Sequence, residues 1–453
     1  MKKAIAILFL LVTVSFQAQT NPAITSWLQN TTTFGSYYTS GNSTPIPMTV
    51  LANCQQVRYS SNWVYVNATG IPAYTTGIFT GDGNTNLAGN QNAIYKLPLN
   101  PTQNTGTPTA TSGGNNGIFI NGVSIFDWRD GVAYSASAVN GICGGPPGNP
   151  PCTGAPGSQA WNRDAIPAEK LGFDCAKGHP AGTNYHHHQN PSAFKYDSAT
   201  SSTYSSICNM YDSEGLYTIN TAAHSPLIGF AYDGFPIYGA YAYTNVNGTG
   251  DIARMKSSYQ LKTATTRTNG PAINQTIGTQ TFFNGYFKED YEYVAHNDDP
   301  TYLDQHNGRF CITPEYPNGI YCYFATVNAD HSSAYPYIIG PTFYGVKTGA
   351  KVTTVSETTS NYVLANENFD LASSKITVFP NPASDFITVQ TEFVESDLKV
   401  ELINELGQIV KESKILQGTT FCIIETDTIY NGIYFIKISN DSKSKTTKVI
   451  IAK

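Results

Sequence analysis

The sequence predicts a mainly β protein, with a large β-rich domain followed by a small C-terminal β-sandwich. Three observations predict it. Tyr, Gly and Pro are abundant, at 30, 39 and 25 residues, which favours short strands joined by turns over helices. Short segments such as Trp63–Val66 and Ile118–Ile120 carry β-branched and aromatic residues between turn signals. The last stretch alternates apolar and polar residues at the period of strands.

The first nineteen residues read as a secretory signal peptide. Lys2-Lys3 precede an apolar run from Ala4 to Phe16, and cleavage is expected after Ala18 or Gln19. The run is too short for a membrane span, and no later stretch reaches about 18 uninterrupted apolar residues. The mature chain is therefore expected to be exported, with no transmembrane segment. Charged residues make up 13% of the chain, against about 25% in ordinary globular proteins. With 26 Lys and Arg against 32 Asp and Glu, nucleic acid is not an expected partner.

About 430 residues remain after the leader, too many for one ordinary domain. Residues 20–349 are expected to form the main domain, with an N-terminal β-rich region and a motif core at 118–345. Residues 350–374 lose aromatic density and read as a linker. From Ile376, KITVFPNPASDFITVQ, LKVELINELGQIV, TTFCIIETD, GIYFIKIS and TTKVIIAK read as successive strands. They amount to a sandwich of about 75 residues. No solenoid-type repeat is visible.

Export makes disulfides permissible for the eight cysteines. Cys143 and Cys152 flank the loop GGPPGNPP and are the expected local bridge. Cys311 and Cys322 flank a predicted hairpin, so a cross-strand bridge is a second expectation. Cys175 with Cys208 is a third, while Cys54 and Cys422 have no evident partner. No C-x-x-C spacing occurs, which argues against a thiolate zinc site.

Four of the eight histidines lie within ten residues: His179, His186, His187 and His188. On a strand, residues i and i+2 share a face, so His186 and His188 point one way and His187 the other. Two imidazoles on one face suit a transition metal ion, copper or zinc. The Gly178-His179-Pro180 turn precedes them by a hairpin-sized gap that folds His179 back toward the pair. His224, Asp304 and His306 are the other candidate ligands, Asp304 and His306 forming an i/i+2 polar pair. Tyr185, Asp233 and Asn184 are candidates to hold the imidazole tautomers. His296 and His331 sit in polar loops and read as surface residues.

Asp298-Asp299 with Asp304 lacks the spacing of a calcium loop and reads as an acidic turn. Asp233-Gly234 reads as a turn feeding a strand, and Asn307-Gly308 and Asn318-Gly319 as hairpin turns. No Gly-x-Ser-x-Gly elbow, His-Glu-x-x-His motif or paired catalytic carboxylates occur, so no catalytic residue is assigned. No nucleotide cofactor is expected.

The tail resembles the type A C-terminal sorting domain of bacterial type IX secretion. The resemblance rests on Phe379-Pro380-Asn381-Pro382, Asn404-Glu405-Leu406-Gly407-Gln408, Asn431-Gly432-Ile433-Tyr434 and the ending Lys448–Lys453. It implies that residues 375–453 engage an outer-membrane translocon, and that the protein is secreted or attached at the outer cell surface.

The segments GIFINGVSIFDWRDG, KGHPAGTNYHHHQNP, HSPLIGFAYDGFPIYGAY, LDQHNGRFCITPEYPNGIYCYFAT and YPYIIGPTFYG resemble the YHYH domain family. Its Tyr-His-Tyr-His motif stands here as Tyr185-His186-His187-His188. Some members carry a second such motif, and at the matching place this chain has Tyr321-Cys322-Tyr323-Phe324, without histidine. The family supplies a name and boundaries rather than a mechanism. Three functions then compete. One is a secreted metal-binding protein, and another is a metal-dependent extracellular enzyme with an open coordination position. The third is a glycan-binding or adhesion module with structural histidines and a polysaccharide or cell-surface ligand.

Overall fold

The computed structural model describes residues 21–79, 86–145, 148–154, 157–191, 221–264, 266–362, 376–391, 397–440 and 444–453. The expected signal peptide, Cys208 and residues 363–374 of the expected linker lie outside the described residues. The chain divides into two compact units, Met1–Tyr362 and Val363–Lys453. Strands dominate both, as composition predicts.

The first unit is organised by an eight-stranded sheet. Its strands, numbered in chain order, are β1 (Asn115–Phe119), β2 (Ser124–Phe126), β3 (His179–Ala181) and β4 (Asn184–His187). They continue with β5 (Leu227–Ala231), β6 (Pro236–Tyr238), β7 (Gly308–Cys311) and β8 (Ile320–Phe324). Their spatial order is β3-β4-β2-β1-β5-β6-β8-β7. Every neighbouring pair is antiparallel except β4 with β2 and β6 with β8, which are parallel. The β1–β2 and β5–β6 hairpins turn at Asn121-Gly122 and Asp233-Gly234, as such turn residues favour.

A five-stranded antiparallel sheet packs with it. Its order is Ala350–Val352, Ala93–Pro98, Trp63–Ala68, Cys54–Tyr59 and Ser360–Tyr362. Val57, Val66 and Leu97 from this sheet share one core with Ile118, Phe119, Phe230, Ile237 and Tyr323 of the larger one. The Tyr95 hydroxyl meets Ser124 Oγ at 2.8 Å between the sheets. Two edge strands of the five-stranded sheet fall inside the expected linker, so its start at 350 is corrected. An edge strand buries one face only, so a polar, aromatic-poor stretch can still pair in a sheet.

A three-stranded sheet, Asn162–Asp164, Arg129–Tyr134 and Ile142–Gly144, leads directly into a short helix. Helix α1 is Pro22–Thr25 and this second helix, α2, is Ala165–Glu169. The Asp164 side chain caps α2 by accepting from Ile166 N at 3.0 Å, and Asp164 also accepts from the Tyr337 hydroxyl at 2.6 Å.

Cys143 and Cys152 form the expected disulfide. Cys175 is also disulfide-bonded. Cys311 and Cys322 are free thiols, which corrects the expected cross-strand bridge. The register explains it: Cys311 faces Ile320 and Cys322 faces Arg309, so the two cysteines are diagonal neighbours rather than partners. Asn307-Gly308 is likewise an entry turn into β7, not a hairpin turn. The β7–β8 hairpin turns at Asn318-Gly319.

The second unit is a sandwich of the predicted kind. Thr377–Phe379, Phe386–Gln390 and Phe421–Glu425 form one sheet. Ile409–Ile415, Leu398–Asn404, Gly432–Ser439 and Ser444–Ile451 form the other. Ile387, Val389, Val400, Leu402, Ile436 and Ile438 alternate inward to make its core.

Candidate metal centre

Strands β3 and β4 form a hairpin across the expected gap, but it turns at Gly182-Thr183, since His179 and Pro180 lie in β3 itself. His179 pairs with His186 in the register, so their side chains share a face. The chain bends at His188 directly after β4, and the His188 Nε2 atom stands 3.0 Å from that of His186. His179, His186 and His188 are all buried, and a ligating nitrogen from each lies within 4.8 Å of the others.

The alternation decides the fate of His187. Tyr185 and His187 face the core shared by the two sheets. His187 Nε2 meets the Tyr74 hydroxyl at 3.0 Å, and its ring meets Phe119 edge-on at 5.5 Å. Burial pushes its pKa down to about 3. It is a packing residue.

The other face is arranged around the triad. His186 Nδ1 lies 2.9 Å from the carbonyl of Asn184, and His188 Nδ1 meets the carbonyl of Asp127. A carbonyl only accepts, so each Nδ1 carries a proton and, in a neutral ring, each Nε2 carries a lone pair. Those two Nε2 atoms stand 3.0 Å apart. Burial, then the charges of His188 and His179, hold the His186 pKa well below its usual value, which keeps that ring neutral. Two lone pairs at this distance need a cation between or beside them. The Asp127 loop is fixed in turn by Arg129, whose Nε lies 2.8 Å from Asp127 Oδ2.

Helix α2 adds a carboxylate. Glu169 Oε2 lies 3.2 Å from His179 Nε2 and 3.3 Å from His188 Nε2. Burial raises its pKa, but hydrogen bonds to His179 and His188 outweigh burial and hold it well below the carboxylate range. Glu169 is the site residue that sequence reasoning missed. It is one carboxylate on a five-residue helix, with no spacing that ties it to the histidines. Phe126 stacks on His186 at 3.7 Å and Phe173 meets His179 edge-on at 4.8 Å, so aromatic walls close the site. The three imidazole nitrogens form a group that could hold one metal ion, and the Glu169 carboxylate lies against two of them.

The other candidates lie outside this cluster. His224 Nδ1 is 2.8 Å from the Ser225 carbonyl, and its ring meets Tyr238 edge-on at 5.2 Å. His306 Nδ1 meets Thr342 Oγ1 at 2.8 Å. Asp304 Oδ1 accepts from the Tyr321 hydroxyl at 2.8 Å, His306 N at 2.8 Å and Gly308 N at 3.2 Å. Among the described residues, His224, His306 and Asp304 are not brought together with His179, His186 and His188. Of the expected orienting groups, Asn184 serves through its carbonyl. Tyr185 faces away, and Asp233 accepts from Tyr323 and Gly345 N. His296 stacks on Tyr302 at 3.9 Å, and His331 meets the Tyr241 hydroxyl at 2.9 Å.

Among the described residues, no helix is long and apolar enough to cross a membrane. No curated protein matches the chain. Among solved structures, it is similar to dimeric latent PorU from Porphyromonas gingivalis. That match has 17% identity and a TM-score of 0.15, over 17% of this chain and 9% of that one. It is also similar to PorZ, a surface component of the type-IX secretion system of the same organism. That match has 11% identity and a TM-score of 0.20, over 88% of this chain and 59% of that one. The chain thus spans only part of the length of either protein. Residues 377–452 match the secretion system C-terminal sorting domain. The protein is therefore secreted or attached at the outer cell surface, and its tail interacts with the secretion system. Residues 94–337, over half of the sequence, match the family model described as YHYH protein. The chain belongs to the YHYH protein family.

Proposed function

We propose that this exported protein binds one transition metal ion through Nε2 of His179, His186 and His188, with Glu169 as the fourth donor. The observation that carries the reading is the 3.0 Å separation of the His186 and His188 Nε2 atoms, with both Nδ1 protons given to backbone carbonyls. A buried arrangement of three imidazoles and a carboxylate suits zinc first and copper second. The bound ion would satisfy the facing lone pairs and tie α2 to the β3–β4 hairpin.

Glu169 occupies the place that a catalytic site keeps open for water. The reading is therefore metal binding without turnover, ahead of a metal-dependent enzyme. The competing account of the same geometry is a proton: His188 as an imidazolium, donating to Glu169 and His186. In that case the histidines are structural, as an adhesion or glycan-binding module requires.

Elemental analysis of the full chain, purified from medium supplied with zinc and copper, separates these accounts. One equivalent in the wild type that is absent from His186→Ala/His188→Ala supports the metal. A metal-free wild type overturns it in favour of the proton.

A further inference from the structure

The eight-stranded sheet is palindromic. Strands β1 and β2 map onto β5 and β6 by a constant shift of 112 positions, end for end. Within the first hairpin, Gly117 pairs with Ile125 and Ile118 with Ser124. Within the second, Gly229 pairs with Ile237 and Phe230 with Pro236, the same register after the shift. The two hairpins meet at β1 and β5, where Ile118 pairs with Phe230, its own counterpart. A two-fold axis therefore passes between those residues.

The outer hairpins obey the same relation. In β3–β4, His179 pairs with His186, Pro180 with Tyr185 and Ala181 with Asn184. In β7–β8, Arg309 pairs with Cys322, Phe310 with Tyr321 and Cys311 with Ile320. The parallel joints match too: His187 lies beside Ile125, and Tyr323 beside Ile237.

The turns before β3 and β7 agree hydrogen bond by hydrogen bond. Gly178 N donates to Asp174 Oδ1 at 3.1 Å, and Gly308 N to Asp304 Oδ1 at 3.2 Å. The Tyr185 hydroxyl donates to Asp174 Oδ1 at 3.0 Å, and the Tyr321 hydroxyl to Asp304 Oδ1 at 2.8 Å. Lys177 and Asn307 both adopt the left-handed conformation, at φ 66° and 65°. A Cβ on Gly178 or on Gly308 would come within 2.4 Å of the corresponding tyrosine oxygen, so only glycine fits either place.

The ligand positions of the first half thus have defined equivalents. Arg309 stands for His179, Cys322 for His186 and Phe324 for His188. Arg309 is 8% exposed. Its Nη1 donates to the carbonyls of Pro300 and Thr244 at 2.6 and 3.2 Å, and its Nη2 to that of Tyr243. Its guanidinium lies 5.9 Å from the Phe324 ring centroid. A hydrogen bond from Cys322, with the charge of Arg309, draws the Cys311 thiol below its usual pKa against the opposing effect of burial.

We infer that the sheet is built from two copies of one cation-holding unit, and that the second copy holds the tethered guanidinium of Arg309 where the first brackets an ion. This rests on the metal reading of the first site. A seat already filled by a fixed cation takes no metal, so the wild type binds one equivalent and not two. The second seat would accept an ion once histidines are installed there.

The test installs Arg309→His, Cys322→His and Phe324→His together, in the full-length His186→Ala/His188→Ala background, and titrates cobalt(II). Visible absorption and elemental analysis after gel filtration are the readouts. The expected result is one equivalent in the graft and none in its background. A folded graft that binds none, while the wild type binds one, overturns the inference. A wild type that binds none, beside a graft that binds one, supports a second seat and overturns only the reading of the first. If the graft does not fold, the reverse exchange decides: His179→Arg, His186→Cys and His188→Phe. It should be metal-free and unfold at a temperature no lower than His186→Ala/His188→Ala, because the guanidinium fills the first seat. A lower temperature overturns the inference.

Discussion

The Tyr185 hydroxyl donates to both carboxyl oxygens of Asp174, at 3.0 and 2.8 Å. Asp174 Oδ1 also accepts from Ala176 N and Gly178 N, so one buried carboxyl ties the turn that delivers His179 to the strand that carries His186. Tyr185→Phe removes a hydrogen bond to a buried acceptor while keeping the ring. The expected cost is about 1–3 kcal/mol of stability of the first unit. Denaturant unfolding followed by tyrosine and tryptophan fluorescence measures it. Metal stoichiometry should be unchanged, because Tyr185 faces away from the triad.

Glu169→Gln keeps the shape of the side chain and removes the charge beside His179 and His188. Loss of a carboxylate donor should weaken metal binding at least as much as loss of an orienting partner, about 10–100-fold. Competition against a chromophoric chelator measures the change. An unchanged affinity would remove Glu169 from the donor set and leave the three imidazoles.

Metal bound only by the folded chain stabilises it, by about 2.7 kcal/mol at a free concentration one hundred times Kd. Thermal unfolding of the loaded wild type should therefore fall by several degrees on adding a strong chelator. His186→Ala/His188→Ala should show no such response under the same conditions.

Asp164 is buried against Tyr337, and burial raises its pKa to about 8. A carboxyl whose pKa is higher in the folded than in the unfolded state takes up a proton on folding. Its contribution is complete below the unfolded value of about 3.9 and is lost as pH rises through the folded value. The stability difference between wild type and Asp164→Asn should therefore move against the wild type from about pH 4 to pH 8. Asn keeps the cap on α2. Unfolding midpoints of the pair across that range check the slope, and parallel profiles would refute it.

The Cys143–Cys152 bridge closes a short loop, with a sequence separation of 9. Replacing both cysteines by serine should cost the first unit about 2.5 kcal/mol by the chain-entropy relation. In the unreduced wild type, Cys54, Cys311, Cys322 and Cys422 should alkylate only after unfolding, as all four are buried thiols. Mass spectrometry of the labelled peptides reads both states.

Much of the centre is legible in the residues. The i/i+2 spacing of His186 and His188 suggests a shared face, and the hairpin-sized gap before them lets His179 pair beside His186. Glu169 is not legible, because its approach depends on where a three-stranded sheet and its capped helix come to rest. His224, Asp304 and His306 look alike as ligands in sequence. Only the fold shows that they are not brought together with His179, His186 and His188. The palindrome is hidden for a related reason. The two halves share Gly117 with Gly229, Gly122 with Gly234, Asp174 with Asp304, Gly178 with Gly308 and Tyr185 with Tyr321. These are backbone-determining and hydrogen-bonding positions, too sparse to stand out among substituted core residues.

The sequence by itself determined the mainly β class, the sorting tail with its strand pattern, the Cys143–Cys152 loop and the face shared by His186 and His188. Each depends on neighbours a few residues apart, through strand alternation, turn chemistry and short-range closure. The tertiary structure alone decided that residues 350–362 supply edge strands and that Cys311 and Cys322 are free thiols. It also decided that Glu169 lies beside His179 and His188 and that Arg309 pairs with Cys322 as His179 pairs with His186. Those outcomes depend on register between segments up to hundreds of residues apart. A shift of one residue there would turn every side chain to the opposite face.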